Sequence, residues 1–230
     1  MNLIQLSNSI YKCEFSITVP FHNSIIKNDA VSVPVNVWLI KHDENVYIID
    51  TGIEKLVDEQ MKAAAILGTP KAIFLTHGHS DHIQGAAKWL EHFDISVYAH
   101  EKELKYINGE VPYPNKNILE KNGVANRVKP LNQQLFDQLP ISYHLTPGHS
   151  PGHVVYHHEE DNVLLSGDLF ITAKDKLHPP IRKFSVNMDE NIDSGAIVEK
   201  LKPAVISSSH GTDLRYQEEL YKNYVFTYRD

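Results

Sequence analysis

The chain has 230 residues, 42% hydrophobic and 22% charged, enough to bury a large core in one domain spanning residues 1–230. Its net charge of −7 and pI near 6.0 argue against a nucleic-acid partner, whose electrostatic footprint is a basic face. Its one cysteine, Cys13, excludes an internal disulfide and every cysteine-rich zinc motif.

The opening Met1-Asn2-Leu3-Ile4-Gln5 shows no basic region leading into an apolar run, and no stretch approaches the ~18 apolar residues of a membrane span. A cytoplasmic location and no membrane partner are therefore expected. Residues 10–15 alternate as a strand does, which makes Cys13 a buried structural thiol. Residues 17–33, containing His22, read as a long loop and a candidate pocket wall. Strands follow at 35–41 and 46–50, joined by a turn at His42-Asp43-Glu44-Asn45. A helix is expected over 53–67, stopped by Gly68-Thr69-Pro70. A strand at 71–75, a helix at 83–93 and a strand at 95–98 give the alternation of an α/β fold.

Residues 101–130, broken by Pro112 and Pro114, read as a helix followed by loops, and strands return at 141–146, 154–158 and 163–166. Residues 172–187 form a second candidate pocket loop with His178; its Lys174, Lys176, Arg182 and Lys183 read as a solvated charge run. A helix at 192–201 and a strand at 204–208 precede an amphipathic stretch from Leu214. The aromatics of that stretch, Tyr216, Tyr221, Tyr224, Phe226 and Tyr228, suit either core packing or a homodimer contact.

The chemistry concentrates in Thr76-His77-Gly78-His79-Ser80-Asp81-His82, between a strand and a helix. Ligands spaced His-x-His-x-Asp-His cannot all reach one tetrahedral ion in so tight a turn, but they can serve two adjacent ions. Imidazole with carboxylate suits zinc, and also iron or manganese. Three more strands end in metal-competent residues: His149 after 141–145, Asp168 after Leu164-Leu165-Ser166-Gly167, and His210 after Val205-Ile206-Ser207-Ser208-Ser209. Each is weak alone, but four strand ends can converge on one edge of a layered fold. The other histidines, His22, His42, His92, His100, His144, His153, His157, His158 and His178, have no spacing that demands a metal and read as structural or surface residues.

Together with Asp50-Thr51-Gly52, these motifs stand in the order found in the metallo-β-lactamase superfamily. The chain resembles its hydrolase branch, with glyoxalase II and the acyl-homoserine lactonases, and is similar to small bacterial metallo-hydrolases. The resemblance implies a four-layer αββα sandwich with a metal site at one edge of two sheets. It implies His77, His79 and His149 on one zinc ion, Asp81, His82 and His210 on a second, and Asp168 bridging. Such a pair, ~3.5–4 Å apart, holds a bridging hydroxide with a pKa of about 7 and polarises a substrate carbonyl or phosphoryl oxygen. Asp81 is expected to act catalytically as well, orienting the nucleophile and passing a proton to the leaving group. Asp50 is the candidate partner for the outer nitrogen of a ligating imidazole.

Departures from the relatives narrow the chemistry. Cys13 is far from every motif, whereas zinc β-lactamases of the commonest class use a cysteine ligand, so antibiotic hydrolysis is not expected. His79 stands where flavodiiron oxygen reductases carry Glu. Ile171 stands where the best-known lactonases carry a tyrosine, three residues after the bridging aspartate. The expectation is a dinuclear hydrolase acting on a small-molecule ester, thioester or lactone. The alternatives are an oxidoreductase similar to the mononuclear iron persulfide dioxygenases, which share the His-x-His-x-Asp-His string, and a phosphodiesterase of the same superfamily.

Overall fold

Seven strands line up in chain order in the first sheet of the computed structural model, which describes residues 1–21 and 29–229. They are β1 (Asn2–Gln5), β2 (Ile10–Phe21), β3 (Asp29–His42), β4 (Asn45–Ile49), β5 (Thr69–Phe74), β6 (Ser96–Ala99) and β7 (Val128–Pro130). β1 to β4 pair antiparallel through short connections. β4 to β7 pair parallel, which demands a crossover between each pair. Helices α1 (Val57–Leu67), α2 (Ser80–Ile83), α3 (Ala86–His92) and α4 (Glu101–Ile107) lie in those crossovers.

The second sheet takes β8 (Ile141–Leu145), β9 (Val154–His158) and β10 (Val163–Leu165). After a separate hairpin, β11 (Ile171–Ala173) and β12 (Lys176–His178), it adds β13 (Val205–Ser207) and β14 (Leu214–Arg215), in the order β14-β13-β10-β9-β8. Helices α5 (Met188–Ser194), α6 (Ile197–Leu201) and α7 (Leu220–Tyr228) complete the chain.

Successive side chains of a strand point to opposite faces, so a strand covered on both sides must be apolar throughout. Leu39, Ile48 and Ile73 face Ala63, Ala64, Leu67 and Trp89 of the first helix layer. Their neighbours Trp38, Ile40, Ile49 and Phe74 meet Val154, Tyr156, Val163 and Leu165 of the second sheet. Val155, Leu164 and Ile206 then turn outward to Ile192, Val198, Leu220 and Tyr224. Three apolar layers separate helix, sheet, sheet and helix, the αββα order that the motifs implied. Among the described residues no helix is long and apolar enough to cross a membrane.

Three segments differ from the sequence-based expectation. Residues 17–21 and 29–33 are strand rather than loop, because β-branched residues line the pair: Ile17 stands opposite Val33, and Thr18 opposite Ser32. His22 lies outside the described residues. The expected loop at 172–187 contains the β11–β12 hairpin, whose turn residues Lys174 and Asp175 both have positive φ, 51° and 57°. Such a turn normally announces itself as Asn-Gly or Asp-Gly, and Lys-Asp hides it. The helix expected from 192 starts at Met188, where the Asn187 side chain caps it by accepting from Glu190 N at 3.2 Å.

Candidate metal centre

The first cluster is built where β4 and β5 end. Asp50 leaves β4 in a left-handed conformation (φ 58°), which turns its fully buried carboxylate toward the end of β5. Its Oδ1 accepts Thr76 N at 2.7 Å; its Oδ2 accepts Thr76 Oγ1 at 2.7 Å and His82 Nδ1 at 2.8 Å. The Thr76 hydroxyl, having donated to Asp50, accepts from His77 Nδ1 at 3.0 Å. Thr51 N and Oγ1 both reach the His82 carbonyl at 2.8 Å. One aspartate and one threonine thus orient His77 and His82 from opposite ends of the turn.

His149 and His210 are held in the same way from the second sheet. The Ser185 hydroxyl donates to the Ile181 carbonyl at 3.2 Å and accepts from His149 Nδ1 at 3.1 Å. His210 Nδ1 donates to the Pro34 carbonyl at 2.7 Å. Its loop is fixed by Asn36, whose amide donates to the carbonyls of Ser208 (2.9 Å) and Gly211 (3.1 Å). Four imidazoles therefore commit Nδ1 to an outer partner and turn Nε2 inward. The remaining one, His79, presents Nδ1 2.9 Å from His149 Nε2.

Asp168 stands between these groups. Its Oδ2 is 3.3 Å from His149 Nε2, while its Oδ1 is 3.4 Å from both His82 Nε2 and His210 Nε2. Asp81 Oδ2 lies 3.2 Å from His210 Nε2 and 3.9 Å from His82 Nε2, with its side chain 37% exposed at the rim. The inward atoms fall into three sets, each within 4.8 Å: His77, His79 and His149; His77, His82 and Asp168; Asp81, His82 and His210.

These residues fit metal ions. His77 Nε2, His79 Nε2, His82 Nε2 and Asp168 Oδ1 are buried without a hydrogen-bond partner among the described residues. Each such orphan costs about 1–3 kcal/mol, a penalty that cations coordinated by the clustered lone pairs would relieve. Burial pushes His77 and His79 well below the ordinary range and His149 down to about 4, so they are neutral, the form in which imidazole ligates. Burial also opposes the charged form of His210, but Asp168 and Asp81 outweigh it and pull His210 up to about 10. His82 is raised well above its ordinary range against the same burial, by Asp168, Asp50 and Asp81. That half of the site attracts positive charge, as protons or as a cation.

All seven residues singled out in the sequence come together here. His153, which the sequence left among the bland histidines, belongs beside them. Its fully buried ring donates from Nδ1 to Thr146 Oγ1 (2.9 Å) and accepts the Asp168 backbone N–H on Nε2 (3.1 Å). Burial holds it neutral, down to about 3, as an acceptor at Nε2 must be. Its signal was the repeated Pro-Gly-His at 147–149 and 151–153. Thr76 and Ser185 had no sequence signal, because their role is a contact through space.

A family model described as the metallo-beta-lactamase superfamily matches residues 31–210. The chain is 60% identical over 230 residues, covering 100% of each chain, to the Probable metallo-hydrolase YybB of Bacillus subtilis (strain 168). It is 30% identical over 147 residues, 58% of this chain and 66% of the relative, to the Hydroxyacylglutathione hydrolase GloC of Haemophilus influenzae. The crystal structure of a metallo beta lactamase from Erythrobacter litoralis superposes with a TM-score of 0.71, covering 96% of both chains at 13% identity, a likeness of fold alone.

Proposed function

This chain belongs to the metallo-beta-lactamase superfamily, and on that premise we propose that it is a metallo-hydrolase working with two zinc ions on a small ester, thioester or lactone. The observation that carries the reading is the Asp168 carboxylate. One oxygen faces His149 and the other faces His82 and His210, as a group shared between two cation positions must. His77, His79 and His149 would hold one zinc, Asp81, His82 and His210 the other, with Asp168 on both. Zinc supplies a hydroxide nucleophile at neutral pH and polarises the scissile carbonyl.

The protein's own groups supply the rest. The outer partners of His77, His82, His149 and His210 keep each Nδ1 proton away from the site, so that every inward nitrogen carries a lone pair. His153 fixes Asp168 through its backbone N–H. Asp81, at the rim, would orient the nucleophile and pass a proton to the leaving group. Thioesters head the substrate class, because relatives similar to this chain are named hydroxyacylglutathione hydrolases, and hydroxyacylglutathione is a thioester. Its thiolate leaving group needs little protonation, so with this class the half-buried Asp81 would act chiefly by orienting the nucleophile.

The experiment is a hydrolysis screen of acyl thioesters, aryl esters, lactones and phosphodiesters with zinc-loaded protein, alongside Asp81→Asn. Thioester turnover that Asp81→Asn lowers about 10²-fold or more supports the reading. Turnover of phosphodiesters alone would replace the substrate class.

A further inference from the structure

Glu103 of α4 is fully buried, and none of the salt bridges among the described residues includes it. Its Oε2 accepts from Gly78 N (3.0 Å) and Tyr113 OH (2.5 Å), and its Oε1 from Gly152 N (2.6 Å) and Ser150 Oγ (2.8 Å). Four donors fill the four lone-pair positions of an ionised carboxylate and leave no place for a proton. Burial pushes this carboxyl up, and the four bonds act against it.

The position of those donors gives the carboxylate its meaning. Gly78 separates His77 from His79 in the turn after β5 of the first sheet. Ser150 follows His149 in the loop before β9 of the second sheet, where Val154 N also reaches the Thr76 carbonyl at 2.9 Å. One side chain therefore clamps the two loops that together present His77, His79 and His149. Tyr113, bonded to Glu103, sets its ring edge-on against His79 with centroids 4.8 Å apart. The approach is close enough to require glycine. A Cβ on Gly78 would stand 2.5 Å from both Tyr113 Oη and Ile107 Cγ1, and one on Gly152 would stand 2.9 Å from Glu103 Cγ. His82 and His210 are anchored differently, through Asp50 and the Pro34 carbonyl. A neutral apolar clamp would avoid the several kcal/mol that desolvating a charge costs, so the retained charge points to a role toward a cation.

We propose that Glu103 is a positioning residue for the His77–His79–His149 subsite, fixing one ligand loop against the other and setting the cation affinity of that subsite and not of its neighbour. This rests on reading the cluster as a cation site.

The test titrates zinc into full-length metal-free protein against a chromophoric chelator. The His210→Ala background keeps the first subsite; His149→Ala keeps the second. Glu103→Gln turns an amide toward two of the four donors. It is expected to weaken zinc about 10-fold or more in the first background and less than about 2-fold in the second. An equal loss in both backgrounds, or none in the first, overturns the proposal. Tyr113→Phe and Ser150→Ala each withdraw one donor and leave the carboxylate in place, so they report even if Glu103→Gln does not fold. Each should weaken the first subsite about 3-fold or more, a fraction of the worth of one hydrogen bond to a charged group because three donors remain; unchanged affinity in both would overturn the proposal. Absence of zinc binding by the unmutated protein would sink the cation reading itself. Two bound zinc ions with Glu103→Gln unaffected would sink the positioning role alone.

Discussion

Replacing Asp50 by Asn isolates the outer partner of a proposed ligand without touching a ligand. Asn tolerates the left-handed backbone at this position as Asp does, so the fold of the β4 end is kept. The amide oxygen can still accept Thr76 N, but the NH2 group then faces two donors, the Thr76 hydroxyl and His82 Nδ1. Thr76 can rotate; His82 has to move its proton to Nε2, the atom that points at Asp168. The lost charge-assisted hydrogen bond is worth about 1.5–3 kcal/mol, which corresponds to a loss of about 10–100-fold in metal affinity. Chelator competition with zinc should therefore show one position weakened by that factor and the other within about 3-fold. Two zinc ions bound by Asp50→Asn as tightly as by the unmutated protein would refute the argument that outer partners set the lone pairs.

Three further outcomes are expected. Metal-free protein should be most stable near pH 6.5 in urea denaturation. Below that pH, His77, His79, His149 and His153, whose folded pKa values are depressed, bind more protons unfolded than folded, and stability is lost. Above it, His82 and His210, whose folded values are raised, lose their stabilising protons, and only this alkaline loss should vanish when zinc is bound; a monotonic profile would contradict the assignment. Gly148→Ala should lower the thermal midpoint and weaken zinc together. A Cβ there meets Asn191 N at 2.2 Å, with φ at 128°, and the residue adjoins His149; unchanged zinc affinity would contradict the coupling. The Cys13 thiol, pushed up to about 12 by burial, should resist a thiol-specific reagent in the folded protein and react on unfolding.

Much of this site was legible in the sequence because His77, His149, Asp168 and His210 each stand just beyond a strand, and a buried strand fixes where the residues after it point. The runs before His77, His149, Asp168 and His210 are apolar enough to read as strands, and their ends meet because the two sheets pack face to face. What stayed hidden depends on contacts between distant segments. His153 looks like any strand-leading histidine until Asp168 is seen to donate to it, and Glu103 looks like a surface helix residue until four donors from three segments surround it. The β11–β12 hairpin escaped because Lys174 and Asp175 adopt a conformation their residue types seldom announce.

Metal content tests the central claim most directly: elemental analysis of protein purified without chelator or added metal, with Asp168→Ala beside it. Two zinc ions per chain, falling in Asp168→Ala because both positions share that carboxylate, is the predicted result. One iron per chain with oxygen consumption, or no metal in any preparation, would contradict it.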